Sequence, residues 1–182
     1  MNWLNMLNEK RIKEAESNFK RYLEEGLIRK EKFRKEVFET YLKNYKESIT
    51  LLDFIDKNKI SFLWEIVVAY YSMFYIANAF LYKLGYKTGS KIVHKVTADA
   101  LIVLARDKLK KSLIRDYEVI KEEALELAST KADEIISSFD RERIKRSIFQ
   151  YTTQEEIKEL KAKTSFRRAI EFCNAIMKLL ED

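Results

Sequence analysis

The chain contains no proline and only three glycines, Gly26, Gly85 and Gly89. Sheets joined by tight turns draw on Gly, Pro and Asn-Gly pairs, so a sheet-rich fold lacks the punctuation it needs here. The same scarcity disfavours Rossmann and P-loop sites, whose phosphate-cradling loops require closely spaced glycines. Apolar residues instead recur with the helical period along nearly the whole length. The pattern predicts an all-α chain: a single antiparallel bundle of about five to six helices, in one domain covering residues 1–182, without internal repeat or linker.

The expected helices can be placed from their stripes and ends. Ile12, Ala15, Phe19, Tyr22 and Leu23 form a stripe that runs out at Gly26, a glycine suited to a C-terminal cap. Phe33, Val37, Tyr41, Tyr45, Ser48, Leu52 and Ile55 form a second, ending in Asp56-Lys57-Asn58-Lys59. Ser61 is placed to cap a third helix from Phe62 to Leu84, closed by Gly85. Val93, Val96, Ala100 and Leu104 mark a fourth, and Leu113 to Phe139 a long fifth with a candidate break at Ser129-Thr130. Thr152 with Glu155 fits a capping box ahead of the last helix, whose inner face is Ala162, Phe166, Ala169, Cys173, Ile176 and Leu180.

The third helix is long and apolar enough to raise the question of a membrane span. Glu65, Ser72, Asn78 and its tyrosines lie within it, and lysines sit at both ends, so no positive-inside bias appears. A buried central helix surrounded by amphipathic partners is the expectation, with no membrane association.

Charge and rare residues exclude further classes. Thirty-five basic against twenty-nine acidic residues give +6, which suits an anionic partner without requiring one. One Cys and one His rule out an internal disulfide and zinc fingers or ribbons, and no residue set has metal-ligand or cofactor spacing. Cys173, on an inner stripe, reads as a small buried hydrophobe. Glu9, Lys10, Arg11 and Lys13 leave no room for a signal-peptide core, so the cytoplasm is the expected compartment. Abundant Lys, Glu and Ile with only two glutamines hints at a thermophile.

Two clusters could carry chemistry. In Asp140 to Tyr151, Arg143, Arg146 and Gln150 share one helical face, with Arg141 nearby and Phe149 and Tyr151 following. Guanidinium forks beside stacking rings are what a phosphodiester and its bases require, although a basic helix end also complements the helix dipole. The second cluster is Lys87-Thr88-Gly89-Ser90-Lys91-Ile92-Val93-His94, where amides and hydroxyls at a helix start suit an anion and His94 could titrate. On these residues alone, an ordinary cap followed by a hydrogen-bonded histidine is the favoured reading.

Ala69-Tyr70-Tyr71-Ser72-Met73-Phe74-Tyr75-Ile76-Ala77-Asn78-Ala79-Phe80-Leu81, followed by the Lys87-Thr88 loop, resembles the tyrosine-rich helix signature of HEPN domains (higher eukaryotes and prokaryotes nucleotide-binding). Arg146 to Glu156 and Ala162-Lys163-Thr164-Ser165 resemble the end of such domains, in the archaeal branch of a poorly characterised HEPN-like family. The resemblance implies a helical bundle, often homodimeric. It also implies either a metal-independent endoribonuclease or a partner of a minimal nucleotidyltransferase in a toxin–antitoxin pair.

The family's catalytic pattern is Arg, four to six residues, then His, commonly followed by Tyr. Here Arg146 holds the Arg position and Tyr151 the Tyr position, but Gln150 stands near the histidine's place. Glutamine can hold a phosphate or a base edge but cannot take a proton near neutral pH. The resemblance therefore implies a module that binds RNA or a nucleotide, or docks to a nucleotidyltransferase, without cleaving. Arg143, Arg146, Gln150 and Tyr151 would form its surface, with Arg141 and Lys87 contributing. The alternatives are an endoribonuclease using Arg146 and His94, and a helical interaction subunit with no nucleic-acid contact.

Overall fold

The computed structural model describes residues 8–137 and 155–181. Among these residues the chain runs α1 (Glu9–Glu24), β1 (Ile28–Lys30), α2 (Lys35–Asn58), α3 (Phe62–Lys83), β2 (Tyr86–Thr88), α4 (Val93–Ala105), α5 (Lys111–Ser137) and α6 (Glu155–Glu181). It is an all-α bundle with one minor strand pair. The helix ends follow local chemistry. Asn8 caps α1 by accepting from the Arg11 amide, and Ser61 caps α3 by accepting from the Trp64 amide. Gly26 and Gly85, just past α1 and α3, take φ of +69° and +87°, which a side chain would resist. α5 runs through Ser129-Thr130 unbroken, and the Thr152 capping residue lies outside the described residues.

α3 is the core. It packs against α2, α4, α5 and α6, and fifteen of its residues are buried, with Trp64 and Lys83 exposed at its two ends. No described helix is long and apolar enough to cross a membrane. Cys173 on α6 is buried as expected, and burial pushes its thiol up to about 12.

Polar groups pin the elements around α3. Asn78 gives its amide to the Phe74 carbonyl and to Thr97 Oγ1 on α4, and its Oδ1 accepts from Thr88 Oγ1 on β2 at 2.8 Å. The two strands, which the turn-poor sequence gave no reason to expect, pair antiparallel with Arg29 opposite Lys87. Like charges directly across a ladder repel, and Glu31 answers both: its carboxylate meets Arg29 at 3.2 Å, Lys87 at 3.3 Å and Arg34 at 2.8 Å. The Arg34 hydrogen bond, with those from Arg29 and Lys87, holds the Glu31 carboxyl below its ordinary range.

A buried ionic network ties α1, α4 and α5 together. Arg11 reaches Asp99 Oδ1 through Nη2 and Glu118 Oε1 through Nε and Nη2. Tyr22 and Asn18 donate to the other Asp99 oxygen at 2.9 and 3.0 Å. Asp99 has no exposed side-chain surface, so its charge depends on these donors. Arg11→Ala should therefore cost about 3 kcal/mol in urea denaturation, because two buried carboxylates would lose their shared cation. Combining it with Glu118→Gln should recover part of that loss; an Arg11→Ala cost below about 1 kcal/mol would mark the network as a surface pair.

Glu65, in the first turn of α3, is buried with Oε1 unpartnered. Burial, with Asp56 and Glu159 outweighing Lys163, pushes its carboxyl from 4.5 up to about 7. The folded chain then binds this proton more tightly than the unfolded one. Its contribution is present below pH 4.5 and is lost as the pH rises to about 7. Glu65→Gln should remove that loss, so the variant gains on the parent between pH 5 and pH 8. Parallel stability curves for the two proteins would contradict the assignment.

Candidate functional site

Of the residues singled out in the sequence, Arg141, Arg143, Arg146, Gln150 and Tyr151 lie outside the described residues. Lys87 and His94 lie within them, and they have no hydrogen-bond or ion-pair partner in common.

Lys87 sits in mid-strand on β2, and its ammonium is engaged by Glu31. The hydroxyl of the next residue, Thr88, is turned inward to Asn78. Two of the groups that made this loop look suited to an anion thus serve to hold β2 on the bundle.

His94 falls in the first turn of α4, which opens after Ile92 takes the left-handed conformation at φ 43°. The Asn78–Thr97 contact one turn further on holds α4 against α3. That sets the imidazole among the α3 tyrosines, with ring centroids 4.9 Å from Phe74, 5.5 Å from Tyr70 and 6.0 Å from Tyr71. Its Nδ1 lies 2.7 Å from the Tyr70 hydroxyl. Tyr70 is fully buried, and Tyr117 of α5 stands edge-on behind it at 5.8 Å.

Chemistry assigns the proton. Of the two groups, the phenol is the better donor and the bare nitrogen of a neutral imidazole the better acceptor. Tyr70 therefore donates to Nδ1, and the histidine proton rests on Nε2, which makes no hydrogen bond among the described residues. Burial, reinforced by the charge of Lys121, holds His94 below its ordinary value of 6.5, so it is neutral at pH 7. Lys121 is itself buried on α5 and paired with the exposed Glu122 at 2.9 Å. Burial pushes Tyr70 well up, and Tyr117 behind it likewise, so neither phenol ionises near neutrality.

The cluster thus sets the half-buried rings of Tyr71 and His94 over the buried Phe74, with the buried Lys121 ammonium nearby. It can stack on a planar group and donate to an oxygen. With Nδ1 occupied and Nε2 protonated, it has no free basic nitrogen to take a proton. Tyr70, Tyr117 and Lys121 were not legible as a unit, because they come from two helices and meet only in the folded chain. The one hint was a run of tyrosines in an otherwise apolar helix. Among the described residues no group of three or more His, Cys, Asp or Glu side chains is arranged to hold a metal.

Comparison with protein-family models, curated proteins and solved structures finds no match to this chain.

The single histidine makes the site directly measurable, since one imidazole signal can be followed by NMR against pH. Tyr70→Phe removes the donor that favours the neutral ring, and Lys121→Gln removes the repelling cation. Both variants should titrate at higher pH than the parent. Tyr70→Phe should also let the ring populate both neutral tautomers. A parent pKa at or above 6.5 would contradict the arrangement.

Proposed function

We propose that this chain is a HEPN-like module that binds RNA or a nucleotide, or docks to a minimal nucleotidyltransferase, without cleaving RNA. The observation that carries the non-cleaving half is the Tyr70–His94 hydrogen bond. It occupies Nδ1 of the only histidine, and with Tyr70 as the donor the proton sits on the other nitrogen. Ribose 2′-hydroxyl activation needs a base within reach of the proton, and Gln150 at the family's histidine position cannot supply one. The binding half rests on the resemblance, on Arg146 and Tyr151 at the motif positions, on the +6 charge and on the half-buried rings of Tyr71 and His94.

Two experiments decide between binding and cleavage. Single-stranded RNA incubated with the protein in EDTA should stay intact and be retained in a salt-dependent way. Arg146→Ala and Gln150→Ala should weaken retention, and Arg146→Ala should flatten the log–log salt dependence by about 0.7. RNA cleavage in EDTA that disappears in Arg146→Ala would replace this reading with a metal-independent endoribonuclease. Absence of RNA binding, with a protein co-purifying instead, would replace it with an interaction subunit.

A further inference from the structure

On the face of α5 opposite Tyr117 and Lys121, a second feature stands apart from the His94 cluster. Arg115, Val119 and Glu123, at successive four-residue steps on α5, face Leu160, Lys161, Thr164 and Arg168 of α6 across an open groove of about 530 Å³. Its cations are incompletely neutralised. Arg115 pairs with no carboxylate among the described residues. Arg168 approaches Asp116 through Nε at 3.2 Å, a contact without hydrogen-bond geometry that leaves Asp116 Oδ1 unpartnered. Lys161 stands 4.0 Å from Glu123, at the limit of an ion pair.

The charges also have an order. Arg115 and Arg168 lie at one end, where Asp116 joins the helices, and Lys161 with Glu123 at the other. Eight residues separate Arg115 from Glu123, about 12 Å along the axis. Between the ends the floor is apolar: Val119 is buried, and Leu160 is 70% exposed. A chain that fits this order carries anions separated by flat, poorly hydrated groups, with forked guanidinium donors at the anions.

We propose that the α5/α6 groove is a phosphate-binding track for single-stranded polynucleotide, with Arg115 and Arg168 holding one phosphate, Lys161 another, and Leu160 and Val119 lying under a base between them. The proposal rests on the reading that the chain binds RNA, and it assigns that binding to residues outside the Arg146–Tyr151 motif. A polyglutamate chain would satisfy the guanidinium groups but has no flat apolar face to lay on Leu160 and Val119.

The test uses the full chain and a fluorescent twelve-nucleotide oligouridylate, titrated at several salt concentrations. Arg115→Gln with Lys161→Gln should keep the parent's circular dichroism and melting behaviour, since neither residue is buried. It should weaken binding several-fold and lower the salt slope by about 0.7 for each lost contact. Leu160→Ser should weaken binding without changing the slope. Unchanged affinity and slope in the double variant overturn the groove; if Arg146→Ala weakens binding in the same assay, the RNA reading survives without it. Failure of the parent to bind the oligonucleotide at low salt overturns both. Displacement by polyglutamate as effective as by polyphosphate of equal charge overturns the phosphate assignment.

Discussion

α3 has no polar face, and covering it dictates where everything else goes. A helix with hydrophobic residues on all sides gains by removing each of them from water, so neighbours must close around it. α2, α4, α5 and α6 do this, while α1 packs on α4 as part of the outer layer. Hydrophobic burial is non-directional, however, and cannot by itself choose which helix lies where. That choice falls to the few polar groups the core admits. Asn78 fixes β2 and α4, Tyr70 fixes the start of α4 through His94, and Arg11 fixes α1 against α4 and α5. Each must be paired or it costs the fold dearly, so each acts as a register mark.

The same devices shape the candidate site. His94 is held by Tyr70 because Asn78 and Thr97 have already set α4 on α3. Its neutrality follows from burial and from Lys121, a cation that α5 delivers from the other side. The site is thus a by-product of how three helices are registered. Its Nδ1 is engaged inside the protein by the Tyr70 hydroxyl.

α5 connects the His94 cluster and the groove with α6. One face carries Tyr117 and Lys121 to the His94 cluster, and the opposite face carries Arg115 and Val119 to the groove with α6. A helix can serve two sites in this way because residues two apart point in nearly opposite directions. The loosely compensated cations lie on the outer face, where water keeps them inexpensive. The buried cations, Arg11 and Lys121, each have carboxylate partners.

The helices and their ends were legible in the sequence because they depend on near neighbours. Period, Ser61 and the two glycines act within a turn or so, and α3 declared its burial by having no polar side. Cys173 was legible for the same reason. The strand pair was not: Ile28 and Thr88 are far apart in sequence, and nothing near either one encodes the other. Nor could the sequence tell that Lys87 would be engaged by Glu31, that His94 would accept from Tyr70, or that Arg115 would face Arg168. Local preferences follow from spacing along the chain, whereas the partner of a charge or a ring nitrogen is decided by which helices pack together. That is why residue types could nominate His94 and Lys87, and only the tertiary structure could say what each of them does.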